Sequence, residues 1–180
     1  MALRIAVSGS AGTGKSTLAR RVAAALGVPY IGEGMREYLE RTGVNLHSLG
    51  HEGLRDLVRT LWDERREAEA AHPAFVADRS SYDFAAFWLF YRFAERDEVT
   101  DQFFAETLAP GRYDAVFLLP WGGIPLVADG VRNTNPWAQL HFQLVLEGVL
   151  QRWGEGVLRL DAAGLEDREA RILEHVGGRP

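Results

Sequence analysis

The sequence predicts an α/β fold: a five-stranded parallel sheet with helices on both faces. Two observations predict it. Short, almost wholly apolar runs of three to six residues recur along the chain, as strands buried on both faces do, and each is followed by a segment with apolar residues at helical spacing. The size agrees, since 180 residues, 47% of them hydrophobic, can bury one core, and a single domain over 1–180 is expected.

The elements follow in order. Leu3–Ser8 is the first strand. After a glycine-rich turn, Leu18, Val22, Ala25 and Leu26 share one face of a helix over Ser16–Leu26, which Gly27 stops. Val28–Gly32 is a brief second strand. Leu54, Leu57, Val58, Leu61 and Trp62 mark the buried face of a long helix from about His51 to Ala71, with Pro73 beyond it. The charged run Glu64–Glu69 on that helix is expected to be a solvated face of i,i+3 and i,i+4 pairs. Phe75–Ala77, running into Asp78, is the third strand. An aromatic-rich helix covers about Tyr82–Ala94 and another about Val99–Leu108, before the fourth strand at Ala115–Leu119. Asn135 and Pro136 supply an N-cap and a first-turn proline for a helix to about Trp153. Val157–Leu160 is the last strand, and Leu165, Ile172, Leu173 and Val176 define a closing helix ended by Gly177 and Gly178.

Composition narrows the chemistry. The chain has no cysteine, which excludes disulfides, thiolate metal sites and a thiol nucleophile. His47, His51, His72, His141 and His175 show no metal-ligand spacing and are expected to be surface or satisfied residues. A net charge of −5 disfavours general nucleic-acid binding. No stretch approaches the roughly 20 apolar residues of a membrane span, so a cytoplasmic protein is expected.

Lys15 is the only lysine, and every other member of the Lys+Arg total of 20 is arginine. It stands in Gly9-Ser10-Ala11-Gly12-Thr13-Gly14-Lys15-Ser16-Thr17, a phosphate-binding loop pattern placed between a strand and a helix, which is the context the pattern requires. Gly9, Gly12 and Gly14 let successive N–H groups face one concavity at a helix N-terminus, and a polyphosphate fits there. Lys15 brings a compact ammonium that a planar guanidinium could not replace, and Ser16 offers a hydroxyl to the Mg2+ that accompanies ATP. Residues Gly9 to Thr17 are therefore the expected nucleotide-binding set.

In open parallel sheets ligands gather at the carboxyl ends of the strands. Glu33 follows the second strand, and Asp78 with Arg79 ends the third. In phosphoryl transfer one carboxylate can take the proton of an attacking hydroxyl, another can orient Mg2+, and an arginine can neutralise the transferring group. The segment of about 121–135 is long for a loop and is expected to be a lid, with Arg132 either closing on phosphates or pairing with Asp129 in a surface turn. The aromatic helix is expected to bury Phe84, Phe87, Trp88 and Tyr91 as core, with Tyr82 or its neighbours walling an acceptor pocket.

The phosphate loop, Glu33-x-x-Arg36 and the lid sequence Asp129-Gly-x-Arg132 resemble the ribosylnicotinamide kinase domain of bifunctional NAD-biosynthesis proteins and related small P-loop ATPases (AAA_28-like), over nearly the whole chain. Asp78-Arg79-Ser80 is similar to the corresponding element of thymidylate and deoxynucleoside kinases. The resemblance implies a P-loop NTPase fold, nucleoside-kinase-like with a lid. It implies Glu33 as base or hydroxyl anchor, Asp78 as magnesium or base carboxylate, Arg79 as a substrate or phosphate contact and Arg132 as a lid arginine. Arg36, Tyr82 and Asp129 are also expected beside the substrate. The chain has no adenylyltransferase signature and carries Asp78-Arg79 in place of an acidic cluster. It also lacks the Asp-Glu strand end of an AAA-type motor and the guanine-reading lysine motif of a GTPase. The expected activity is Mg-ATP-dependent phosphoryl transfer to a hydroxyl of a small nucleoside-like acceptor. The alternative is a regulatory ATP-binding protein that hydrolyses slowly and signals through its lid.

Overall fold

A computed structural model of the chain describes residues 3–122, 135–161 and 164–178. Asp129 and Arg132, and with them nearly all of the expected lid, lie outside the described residues, as does the side chain of His47.

The strands are β1 (Arg4–Ser8), β2 (Tyr30–Ile31), β3 (Phe75–Asp78), β4 (Ala115–Leu118) and β5 (Val157–Arg159). The α-helices are α1 (Lys15–Leu26), α2 (Met35–Thr42), α3 (His51–Ala70), α4 (Ser81–Phe90), α5 (Glu98–Thr107), α6 (Pro136–Trp153) and α7 (Leu165–Gly177). The sheet is five-stranded and parallel, as the sequence predicts, and its strand order is β2-β3-β1-β4-β5. The chain leaves β1 toward one edge and later returns to the other side of it, so the crevice at the carboxyl end of β1 is the switch point where such sheets hold ligands.

Alternation along the strands sets what faces that crevice. Ile5 and Val7 of β1 and Val76 of β3 pack against Leu18 and Val22 of α1 and Ile172 of α7, while Ala6, Phe75 and Ala77 pack against α4 and α6. Successive side chains point to opposite faces, so Asp78 falls on the α1 side and Ser8 on the α4 side. Register brings them level, with Val7 opposite Asp78 and Ile31 opposite Ala77. A third cluster, including Leu57, Trp62, Phe84, Trp88 and Phe103, binds α3, α4 and α5 together.

Most helix ends obey the sequence signals. Gly27 adopts φ +66° to stop α1, Asn135 accepts from Trp137 N at 3.0 Å with Pro136 in the first turn of α6, and Asp97 accepts from Thr100 N at 2.7 Å to start α5.

The structure differs from the predicted elements in three places. Residues Met35–Thr42 form a helix where none was expected, because α2 buries none of its residues fully and so has no continuous apolar stripe. The aromatic helix stops at Phe90, short of Ala94, since Arg92 turns to φ +61° and Phe93 N donates to Trp88 O at 2.9 Å, folding the Phe93 ring into the core. The run Glu64–Glu69 is not uniformly solvated. Arg65 and Glu69, one turn apart, are buried; Glu69 accepts from Tyr113 Oη at 2.8 Å and Arg112 at 3.1 Å. Among the described residues no helix is long and apolar enough to cross a membrane.

Candidate active site

The phosphate loop joins β1 to α1. Gly9, Gly12 and Gly14 adopt φ of +144°, +77° and +88°, a region that glycine reaches without steric cost. At Gly9 a Cβ would also crowd Leu119 O and Thr13 Oγ1 at 3.2 Å, so a side chain there would be strained by its backbone angle and pressed by both neighbours. Lys15 is buried, and its Nζ donates to Ser10 O at 2.6 Å. Burial and then the Arg79 guanidinium lower its pKa to about 8, against the opposing pull of Asp78, Glu33 and Asp83.

Two glutamines of α6 hold the loop from outside. Gln143 accepts from Ser10 N at 2.9 Å and donates to Leu119 O at 3.1 Å, and Gln139 accepts from Ala11 N at 3.1 Å. On the other side Arg168 of α7, also buried, donates to Thr13 O at 3.0 Å.

Asp83, wholly buried in the first turn of α4, ties the loop to β3. Its Oδ2 accepts from Ser8 Oγ at 2.6 Å, Ser80 Oγ at 2.8 Å and Ser80 N at 2.9 Å, while Oδ1 meets Gly9 N at 3.4 Å and Arg79 at 3.3 Å. Arg79 occupies φ +75°, a conformation that costs a non-glycine residue about 1–2 kcal/mol. In that conformation its guanidinium donates to Glu33 Oε1 at 2.8 Å and Gly9 O at 3.2 Å, and lies 4.8 Å from the Phe87 ring centre. Burial opposes the charge on Arg79, but Glu33, Asp83 and Asp78 together raise its pKa above the ordinary arginine range. From α3, buried Arg65 donates to the carbonyls of Asp78 at 2.7 Å and Arg79 at 2.8 Å and to that of Gly32, stitching the ends of β2 and β3 together.

Asp78 faces α1. Tyr30 Oη donates to its Oδ2 at 3.3 Å, while its buried Oδ1 has no hydrogen-bond partner among the described residues. A buried carboxylate oxygen without a donor is costly. Asp78 lines a polar cavity together with Ser16, Arg20, Tyr30, Arg36 and Glu33.

A second, apolar cleft adjoins it, walled by Phe84, Phe87, Phe90, Tyr91 and Phe142. Phe87 and Tyr91 are stacked with ring centres 5.9 Å apart, and Phe87 meets Phe142 at 4.5 Å. Ala11, Glu33, Met35 and Arg79 line both the cleft and the polar cavity. Here the expectation for Tyr82 is corrected. Its ring is buried in the core among Phe75, Tyr113 and Leu146, and its hydroxyl faces the backbone of Glu155, away from the cleft. Phe87 and Tyr91, expected as core, line the cleft instead: Phe87 meets Phe142 of α6, and Tyr91, just past the end of α4, stacks on Phe87.

The structure thus brings together Gly9 to Thr17, Glu33, Asp78 and Arg79, with Arg36 at the rim of the polar cavity. Asp83, Arg65, Gln139, Gln143 and Arg168 escaped sequence reasoning. Only Asp83 had a local signal, the Ser80-x-x-Asp83 capping box that begins α4.

Comparison with known proteins agrees with this fold. Solved structures share the fold: NadR protein in complex with NR (TM-score 0.72, 24% identity, 99% of this chain and 52% of that one), thymidylate kinase from Ehrlichia chaffeensis (0.69, 13%, 98% and 98%), and deoxyadenosine kinase from M. mycoides with product dCMP bound (0.66, 14%, 98% and 100%). The chain spans about half the length of the NadR structures it matches. No curated protein sequence matches it. A family model described as AAA domain matches residues 4–168, from the first residue of β1 to the Arg168 that holds the phosphate loop. With a glycine cradle at the switch point of a sheet shared with P-loop kinases, and that match over most of its length, the chain belongs to the AAA_28 family.

Proposed function

We propose that this protein is a kinase that transfers the terminal phosphoryl group of ATP to a hydroxyl of a small nucleoside-like acceptor. One observation carries the proposal: the polar cavity beside the phosphate loop and the aromatic cleft share the wall formed by Ala11, Glu33 and Arg79. A planar base against Phe87, Tyr91 and Phe142 leaves its sugar at Glu33, next to the loop. The NadR structures were solved with NR and with NAD and AMP-PNP, and the deoxyadenosine kinase with dATP, ligands of the class that such a cleft suits.

In this reading Lys15 and the amides of Gly9 to Thr17 hold the phosphates. The orphaned Asp78 Oδ1 and the Ser16 hydroxyl in the same cavity fit Mg2+, which when bound neutralises charge on the phosphates. Glu33 takes the proton of the acceptor hydroxyl as its oxygen bonds to the γ-phosphorus, and the bond from that phosphorus to ADP breaks. Arg79 orients Glu33 and adds positive charge to the shared wall.

Incubating the protein and labelled ATP with a panel of nucleosides, nucleotides and polynucleotide 5′ ends tests the proposal. Stoichiometric transfer of label to a nucleoside supports it, whereas phosphate release with every acceptor left unlabelled replaces it with a regulatory ATPase. Glu33→Gln is expected to retain ATP binding and lose turnover by about 10²-fold; unchanged turnover would assign the base elsewhere.

The Lys15 pKa of about 8 gives a pH prediction. Below that value the group is an ammonium; above it the free protein carries a neutral amine, while a bound triphosphate favours the charged form. Affinity for ATP is therefore expected to fall as pH rises through 8, with proton uptake on binding between about pH 8 and 9. Calorimetry in buffers of different ionisation enthalpy reads that uptake, and identical heats in all buffers would contradict it.

A further inference from the structure

Tyr30 begins the two-residue strand β2 and lines the polar cavity with Ser16, Arg20 and Asp78. Arg20 stands one turn beyond Ser16 on α1, and its guanidinium lies over the Tyr30 ring, 5.0 Å from the centre. The hydroxyl of Tyr30 donates to Asp78 Oδ2 at 3.3 Å. The ring is thus clamped from α1 while its hydroxyl engages β3.

A donor fixed on one carboxylate oxygen limits rotation of the whole carboxylate. Asp78 has that single donor on Oδ2, and its Oδ1 is buried with no partner among the described residues. The two oxygens are therefore different: one is anchored, and the other is open to a ligand that the described residues do not supply. Without the phenol both oxygens compete for the same ligand, and the carboxylate is free to turn toward Arg79 or Lys15, whose charges it already feels.

We propose that Tyr30 is a positioning residue for the divalent cation, holding Asp78 Oδ2 so that Oδ1 is presented to the metal beside Ser16. The proposal rests on the reading of Asp78 as a cation ligand. It assigns Tyr30 no contact with nucleotide or acceptor.

Titration of AMP-PNP by calorimetry, once with saturating Mg2+ and once with EDTA, tests this on wild type, Tyr30→Phe, Asp78→Asn and the double variant. Tyr30→Phe keeps the ring and its Arg20 contact and removes only the donor. It is expected to weaken binding about tenfold with Mg2+, the scale of one hydrogen bond to a charged group, and to leave the EDTA value unchanged. In the Asp78→Asn background the same change is expected to have no further effect. Equal losses in both conditions, Mg2+ enhancement that survives intact in Tyr30→Phe, or an added loss in the Asp78→Asn background would each overturn the role of Tyr30. A wild-type protein with no Mg2+ enhancement would overturn the reading of Asp78 as well, so the two failures are distinguishable.

Discussion

Lys15→Ala is expected to lower phosphoryl transfer by about 10³-fold, the scale seen when a group aimed at developing transition-state charge is removed, while the protein stays folded. The two halves of that expectation have separate causes. Lys15 is the only lysine of the chain, and its buried ammonium lies within the glycine-rich loop, 2.6 Å from Ser10 O. The guanidinium of Arg79 is committed to Glu33, Gly9 and Asp83 and does not replace it. The fold, in contrast, gains little from the ammonium. Its lowered pKa means that burial costs the charged form more than Asp78, Glu33 and Asp83 return. Steady-state kinetics and a thermal melt on the same preparation decide the matter, and turnover close to wild type would remove Lys15 from the reaction. Lys15→Arg is expected to resemble the alanine variant, because a longer planar group does not fit a concavity sized for an ammonium.

Asp83→Ala is expected to destabilise the protein by about 3–5 kcal/mol, the cost of breaking a buried charge pair from one side. Asp83 has no exposed surface and accepts from Ser8, Ser80, Gly9 and Arg79. Alanine takes away the acceptor of Ser80 N and Gly9 N and removes the buried carboxylate beside Arg79. Against a typical total of about 5–15 kcal/mol, such a loss brings the unfolded state into view at modest denaturant. Urea unfolding measures it through the midpoint. A midpoint within error of wild type would show that the network is dispensable, whereas Asp83→Asn should lie between the two, since an amide can accept from the serines but not balance the guanidinium.

The strands and the phosphate loop were legible because their signals are local. A buried parallel strand must be apolar at every position, so β1, β3 and β4 announce themselves, and Gly9, Gly12 and Gly14 are required by backbone angles that other residues resist. Glu33, Asp78 and Arg79 were legible one step further, because strand ends in an open parallel sheet converge. The helix faces were less so. Nearly every position of α4 is apolar or aromatic, so no periodicity marks which rings turn to the core and which to the cleft, and Tyr82 was misplaced while Phe87 and Tyr91 were taken for core. In α3 the charged residues of the run Glu64–Glu69 gave no sign that Arg65 would reach the carbonyls of β2 and β3.

By itself the sequence determined the strands, most of the helices and the glycine-rich loop between β1 and α1, since each is dictated by residues within a few positions of one another. Only the tertiary structure decided what holds that loop and what lies beside it. Ser10 and Gln143, Thr13 and Arg168, Gly9 and Asp83 are 133, 155 and 74 residues apart. A hydrogen bond across such a distance depends on where the whole chain has brought its ends, and neither spacing nor residue type along the sequence records that.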